Sequence, residues 1–243
     1  MIEYIIPPAM GFFGLFVRGF AGFGSALIMT PILLFIFDIK TTVVLVGLVE
    51  TPASLLIALN ARKEIDLGYL KILVPVSLIG VIAGGYALSR YDPVILKKTF
   101  GIFTIIFTLR IIILLHLKTR RKKQWPRPVG YLAGLIGGLM SGLFGTSGPP
   151  IAVYLENQIA EKDTLRATML CFFLINDVLR LIYYGFSSLI TLEILKYSII
   201  MLPATFLGAY FGRAINLKVN NYVFRLTISI ILLITGILLL SRK

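Results

Sequence analysis

Apolar runs of about 20 residues, the length that a helix needs to cross a bilayer, follow one another along almost the whole chain. In lipid every backbone N–H and C=O needs an internal partner, which helices provide. Only 14% of the 243 residues are charged and 58% are hydrophobic, whereas charged residues make up about 25% of a soluble domain. The sequence therefore predicts an all-α polytopic membrane protein and excludes an ordinary soluble domain.

Short polar stretches divide the chain into about eight hydrophobic segments. They run from about 4 to 37, 41 to 61, 67 to 89, 94 to 117, 128 to 155, 164 to 186, 192 to 212 and 222 to 241. Segments 1 and 5 are longer than one crossing requires, and each contains a glycine-rich stretch. We therefore predict that segments 1 and 5 are broken or re-entrant.

The stretch 145–150 of segment 5 reads GTSGPP and cannot form a regular helix. Its glycines lower helix propensity, and each proline removes a backbone donor. A weaker copy, GFGS, occupies 22–25 of segment 1. Broken backbone at membrane depth is tolerated only where it is buried in protein or lines a cavity. Paired breaks in matching halves of a chain are typical of a transporter's binding site.

The two halves of the sequence repeat each other. Four glycines recur 123 residues later: Gly11, Gly14, Gly19 and Gly22 correspond to Gly134, Gly137, Gly142 and Gly145. Segments 3 and 7 share the spacing Pro-x4-Gly-x3-Gly, which begins at Pro75 and at Pro203. We predict a first transmembrane repeat over 1–117, a basic loop over 118–127 and a second repeat over 128–243. Parallel and inverted arrangements of the repeats both stay open, because they depend on whether segments 1 and 5 cross completely.

The charge of the chain is best explained by its membrane topology. The formal net charge is +13, and six of the ten residues in 118–127 are Lys or Arg, with no acidic residue among them. Basic residues collect in cytoplasmic loops, so we expect loop 118–127 on the cytoplasmic side and no nucleic-acid partner. Arg166, near the start of segment 6, is expected at the membrane interface.

Several classes of site and processing are not expected. With one cysteine, Cys171, and one histidine, His116, the chain has no intramolecular disulfide and too few ligands for a protein metal site. No cofactor is predicted. The first basic residue is Arg18, so the N-terminus lacks the basic region of a cleavable signal peptide.

The residues 18–25, RGFAGFGS, and 142–150, GLFGTSGPP, resemble the paired motifs of the sulfite exporter TauE/SafE family. The resemblance covers essentially the whole chain in length, segment number and basic middle loop. It implies a multi-pass permease of the plasma membrane, typically the inner membrane of a prokaryote. It also implies that the partners are the lipid bilayer and a small anion, with sulfur-based anions such as sulfite, thiosulfate and sulfonates expected.

The two motifs differ where the second helix of each break would begin. Ala26 and Leu27 stand in the first half where Pro149 and Pro150 stand in the second. We therefore expect two unequal half-sites, with the second the better-formed anion cradle and the first the more mobile one.

An oxyanion site needs several donors that converge where bulk water is excluded. Helix N-termini offer free N–H groups and a positive dipole end, glycine allows a close approach, and hydroxyls add donors. The predicted substrate-binding residues are Gly22, Phe23, Gly24, Ser25, Gly145, Thr146, Ser147, Gly148, Pro149 and Arg18. The alternative is that both breaks are helix-packing kinks without a ligand.

Charged residues inside apolar segments are the second group of candidates, because they are costly there and usually functional. Arg18 lies in the middle of segment 1 and could contact an anion or form an ion pair. Glu50 could couple transport to protons, or could be a fixed partner of Arg18 or Arg180. Asp177 lies one helical turn from Arg180, so that pair is expected to neutralise itself. The candidates for proton coupling or gating are Glu50, Asn176, Asp177 and Arg180.

The leading hypothesis is a secondary transporter with alternating access around the two breaks. No phosphate-binding loop is present, so an ion gradient, the membrane potential or the substrate gradient must drive it. An anion channel and a non-transporting membrane partner subunit are the alternatives, and the oligomeric state is open, a homo-oligomer included. An enzyme is not expected, because Ser147 lacks the Gly-x-Ser-x-Gly spacing of a nucleophile elbow.

Overall fold

The computed structural model describes residues 2–60, 62–116, 124–215 and 221–241. All regular structure in these ranges is helical. The helices are α1 (Ile2–Ala21), α2 (Ser25–Leu33), α3 (Ile39–Asn60), α4 (Leu67–Arg90), α5 (Pro93–His116), α6 (Arg127–Phe144), α7 (Gly148–Gln158), α8 (Lys162–Phe186), α9 (Leu192–Ile215) and α10 (Asn221–Ser241), with a 3₁₀ turn at Arg62–Glu64. The prediction of an all-α polytopic protein is confirmed.

Both long segments are broken, as predicted. Segment 1 forms α1 and α2, which residues 22–24 separate, and segment 5 forms α6 and α7, which residues 145–147 separate. Residues 118–123 of the predicted basic loop lie outside the described residues, and the boundaries of the two repeats stay a prediction.

Glycines in the left-handed backbone region produce the two breaks. Gly22 follows α1 with φ 85° and donates its N–H to the carbonyl of Arg18 at 2.8 Å. Gly145 follows α6 with φ 76° and donates to the carbonyl of Ser141 at 2.9 Å. Both are C-terminal caps of the kind that glycine adopts without strain. Gly24 has φ 102° and turns the chain into α2.

The helices pack in pairs that match between the two halves. Helix α1 packs on α9, and its counterpart α6 packs on α4. Helix α3 contacts α8, and α5 contacts α10, so each of these pairs joins two equivalent helices. Each broken segment therefore packs mainly against a helix of the opposite half.

Glycines set the close approach of these pairs. A Cβ on Gly80 of α4 would overlap the carbonyl of Leu135 in α6, and one on Gly208 of α9 would overlap the carbonyl of Phe12 in α1. Phe12 and Leu135 stand 123 residues apart, so the two contacts are equivalent. Small residues let helix backbones approach in a membrane, which explains the shared Pro-x4-Gly-x3-Gly spacing.

The outer surface of the helices suits a bilayer. Within the described residues, three helical spans are long and apolar enough to cross a membrane individually: Ile39–Leu59, Leu67–Arg90 and Leu192–Ala214. Large apolar side chains face outward on several helices, such as Ile79, Ile199 and Tyr210, which are 62%, 65% and 70% exposed. Exposed large apolar side chains in such number are typical of a surface that contacts a membrane or a partner.

Candidate functional site

The two breaks meet at one cavity of about 260 Å³, counted with its open side. Its wall consists of Arg18, Phe23, Gly24, Ser25, Ala26, Glu50, Gly145, Thr146, Ser147, Gly148, Phe173 and Asp177. The breaks also touch directly, because the Cβ position of Gly148 lies 3.1 Å from Cδ2 of Phe23. Stretches more than 120 residues apart in the sequence therefore form a single site.

Most of the predicted site residues lie on this wall. Gly22, Pro149, Asn176 and Arg180 do not. Two wall residues were missed from the sequence, Ala26 and Phe173. The sequence repeat could have indicated both residues, because Ala26 and Phe173 are the counterparts of the predicted site residues Pro149 and Glu50.

Two helices begin at the cavity. Helix α2 starts at Ser25 and α7 starts at Gly148, and both residues lie on the wall. Neither helix has a side-chain cap on its first turn. First-turn N–H groups have no partner within their helix, and the dipole is positive at this end. The arrangement therefore offers an anion both donors and a favourable potential.

Four charged side chains form a closed ring beside the cavity, which we call the ion ring: Arg18, Glu50, Asp177 and Arg180. Arg18 Nη2 lies 3.1 Å from Asp177 Oδ2, and Arg18 Nη1 lies 3.5 Å from Glu50 Oε2. Arg180 Nη2 lies 2.9 Å from Glu50 Oε2 and 3.1 Å from Asp177 Oδ1. Each guanidinium thus meets both carboxylates, and the ring is formally neutral.

The ion ring joins the two halves of the chain. Arg18 and Glu50 come from α1 and α3, whereas Asp177 and Arg180 come from α8. None of the four side chains is more than 6% exposed. The expected pairing of Asp177 with Arg180 is present, and Glu50 has both arginines as partners. Arg18 forms ion pairs, which is one of the two roles expected for it, and it also lines the cavity, while its contact with an anion stays a prediction.

Arg180 lies behind the second break. The Cβ position of Gly145 is 2.8 Å from Arg180 Nη1, and that of Gly47 in α3 is 3.4 Å from Arg180 Nε. Two glycines therefore make room for this guanidinium. Its Nε and Nη1 are buried and have no hydrogen-bond partner among the described residues, so Arg180 depends on Glu50 and Asp177 for its compensation.

Comparison with known proteins identifies the family. The family described as sulfite exporter TauE/SafE matches residues 8–239. This chain belongs to the sulfite exporter TauE/SafE family. Over 83 residues it is 24% identical to a protein of Cupriavidus necator named "Probable sulfite/organosulfonate exporter TauE". That match covers 34% of this chain and 32% of the relative. No solved structure matches the chain significantly. Membership makes the chain a membrane protein of a transporter family.

One residue of this TauE/SafE member contacts the first break in a way that its sequence position did not indicate. Arg166 donates from Nη2 to the carbonyl of Gly19, and its expected place at the membrane interface stays a prediction. Its Cγ lies 3.1 Å from the Cβ position of Gly22. Gly19 lies in the last turn of α1, so Arg166 satisfies a carbonyl that has no partner within the helix.

Asn176 lies beside the ion ring but not on the cavity wall. Its Nδ2 donates to the carbonyl of Phe172 one turn earlier, at 3.0 Å. Its Oδ1 is buried without a hydrogen-bond partner among the described residues. The structure thus separates Asn176 from Glu50 and Asp177, which line the cavity.

Proposed function

We propose that this protein is a secondary transporter for a small sulfur-containing anion, namely sulfite, thiosulfate or an organosulfonate. The observation that carries the proposal is the single cavity into which α2 and α7 both begin and which Arg18 lines. The family supports the same reading, because it is a family of sulfite exporters. The name of the Cupriavidus necator relative adds organosulfonates to the substrates considered.

In the proposed complex the anion lies between the two breaks. The first-turn N–H groups of α2 and the N-terminus of α7 face it. The hydroxyls of Ser25, Thr146 and Ser147 add donors from both breaks. Gly24 and Gly145, which have no side chain, let the anion approach the backbone.

Transport is coupled to protons in this proposal. Glu50 and Asp177 are carboxylates at the cavity wall, and both are held by arginines from the two halves. A proton on either carboxylate would change the charge of the wall at the place where the anion binds. We place the protein in the plasma membrane, the inner membrane of a prokaryote, with residues 118–127 in the cytoplasm.

Purified protein in liposomes tests the proposal with labelled sulfite, thiosulfate and ethanesulfonate, with and without a pH gradient. We expect flux above empty liposomes for at least one of the three anions. Ser147→Ala should reduce that flux about tenfold, since a hydrogen bond to a charged group contributes about 1.5–3 kcal/mol.

Thr99→Ala is the matched control, because Thr99 is exposed on α5, away from the cavity. It should transport as the wild type does. Flux no greater than that of empty liposomes for all three anions would overturn the proposal.

A further inference from the structure

One face of α8 reaches from the first break to the second. Five side chains share it: Arg166, Phe173, Asp177, Arg180 and Tyr184. Their spacings of 7, 4, 3 and 4 residues place them along one side of a helix. Resting on the function proposed above, we propose that Arg166 and Tyr184 are positioning residues. They hold the two breaks in the geometry that binds the anion, although neither lies on the cavity wall.

The two ends of this face make equivalent contacts. Tyr184 donates from its hydroxyl to the carbonyl of Gly142 at 2.8 Å, and Arg166 donates from Nη2 to the carbonyl of Gly19. Gly19 and Gly142 stand 123 residues apart, each three residues before the left-handed glycine of its break. The two donors are not counterparts in the repeat, because they lie on one helix only 18 residues apart, about 27 Å along its axis. A single helix therefore supplies the same contact to both breaks.

The carbonyl of Gly142 needs a donor from outside its own helix, because the last carbonyls of a helix have no partner within it. The N–H groups of Gly145 and Thr146 donate to the two carbonyls that precede that of Gly142, at 2.9 and 3.4 Å, as at many helix ends. The Gly142 carbonyl is the next one along, and its donor is the Tyr184 hydroxyl. Gly142 and Tyr184 are both buried, so loss of the hydroxyl leaves a buried acceptor without its donor, which is costly.

The last turn of α6 sets the geometry of the second break. Gly142 stands four and five residues before Thr146 and Ser147, which line the cavity. Helix α7 begins one residue later, at Gly148. If the last turn of α6 loosens, these donors move relative to the anion, and a hydrogen bond weakens steeply as its angle departs from linear. Tyr184 therefore acts on the anion through the backbone of the break.

Arg166 acts in the same way on the first break. Gly19 stands five and six residues before Gly24 and Ser25, which line the cavity. The Cγ of Arg166 also lies 3.1 Å from the Cβ position of Gly22, so this side chain contacts both the last turn of α1 and the glycine that follows it. Because the anion lies between the two breaks in the proposed complex, loss of either contact should lower the affinity for the same anion.

Tyr184→Phe tests the proposal, because it removes the hydroxyl and keeps the ring. Uptake of labelled sulfite, thiosulfate and ethanesulfonate into liposomes is measured over a range of concentrations. For each anion that the wild type transports, the concentration for half-maximal uptake should rise at least threefold, and the maximal rate should stay within twofold. A variant that is merely less stable would lower the maximal rate instead. Tyr183→Phe is the matched control, because Tyr183 packs on Gly85 of α4, and it should transport as the wild type does.

Hydrogen exchange shows where the variant acts. Tyr184→Phe should accelerate exchange at 142–148 and leave exchange at 19–24 unchanged. Arg166 gives a second test, which also serves if Tyr184→Phe does not fold. Arg166→Met should raise the concentration for half-maximal uptake of the same anions, and Arg166→Lys, which keeps a charged donor, should return it toward the wild-type value.

The proposal is wrong if a folded Tyr184→Phe protein keeps the wild-type concentration for half-maximal uptake, or if its exchange accelerates equally at both breaks. It is also wrong if Arg166→Lys transports with the same weakened affinity as Arg166→Met. Flux of the wild type no greater than that of empty liposomes is a different result, because it would remove the proposed transport function itself. The exchange pattern tests both contacts without any transport.

Discussion

The breaks at Gly22 and Gly145 occupy equivalent positions in the two halves, but their neighbours differ. Beside Gly22 lies the aliphatic part of Arg166, and beside Gly145 lie Arg180 Nη1 and a methyl group of Val43 at 3.5 Å. Val43 and Arg166 are themselves equivalent, 123 residues apart. The two breaks thus share the glycine-based backbone conformation that the repeat encodes, whereas the side chains that surround them differ. The second break abuts the ion ring, and the first is held by a cap on α1.

The starts of α2 and α7 differ in a second respect. Pro149 and Pro150 leave α7 without N–H groups at two first-turn positions, where α2 has Ala26 and Leu27. Proline also restricts the backbone of the second break. We expect the second half to be the better anion cradle, and this stays a prediction, because the prolines remove N–H donors while Thr146 and Ser147 add hydroxyls. Compared with the first break, the second has a more rigid backbone and fewer backbone N–H donors.

The largest expected difference concerns the two left-handed glycines. Gly145→Ala should lower the free energy of unfolding by about 3 kcal/mol, because it strains the backbone and pushes Arg180 away from its carboxylates. Gly22→Ala should cost about 1–2 kcal/mol, since the Arg166 chain can shift. Thermal unfolding in detergent measures both, with Gly185→Ala as the control, because a Cβ there meets nothing within 4 Å. Equal losses at Gly22 and Gly145 would contradict the asymmetry.

Substitutions at equivalent helix contacts of the two halves should lower the free energy of unfolding equally. Gly84→Ala and Gly212→Ala place a methyl against the carbonyls of Leu139 and Phe16, which are equivalent residues. Each should lower the free energy of unfolding by about 2 kcal/mol, because two packed helix backbones must separate. Unfolding of the two variants side by side checks this. A difference above about 1 kcal/mol would show that the halves are less alike in packing than the contacts indicate.

Removing the hydrogen bond by which Arg166 caps α1 should destabilise the first break moderately and leave the second break unchanged. Arg166→Met keeps most of the aliphatic chain over Gly22 but removes the donor to the carbonyl of Gly19. A charged hydrogen bond of this kind contributes about 1.5–3 kcal/mol. Hydrogen exchange should accelerate at 19–24 and stay unchanged at 142–148. Equal acceleration at both breaks would mean that Arg166 acts on the whole fold.

The smallest expected effect tests the prolines. Pro149→Ala returns an N–H to the first turn of α7 and loosens the chain, so stability should fall by about 0.5–1 kcal/mol. The apparent affinity for the transported anion should rise severalfold if that N–H reaches the cavity. Concentration dependence of liposome uptake measures it, with Pro31→Ala in α2 as a proline control away from the wall. Weaker binding would show that rigidity matters more than donor number.

Periodicity and glycine spacing were sufficient to predict the helices, both breaks and their meeting at one site. They were sufficient because backbone conformation is a local property of Gly and Pro. The ion ring was only partly predictable. Asp177 and Arg180 lie one turn apart, but Glu50 and Arg180 are 130 residues apart, and no local pattern brings them together. The contact of Arg166 with the carbonyl of Gly19 was missed for the same reason, since Gly19 lies on another helix.

Each broken segment packs mainly against a helix of the other half, and this has a consequence for biogenesis. Helix α1 leaves the ribosome before its main partner α9, which follows more than 170 residues later. Until then Gly11 and Gly19 have no neighbouring backbone to meet, and Arg18 lacks Asp177. The nascent first half must therefore wait in the membrane with Arg18 held by Glu50 alone and not by Asp177. A truncated chain that ends before α8 would lack Asp177 and Arg180 and so contain only half of the ion ring, which makes it a ready target for membrane quality control.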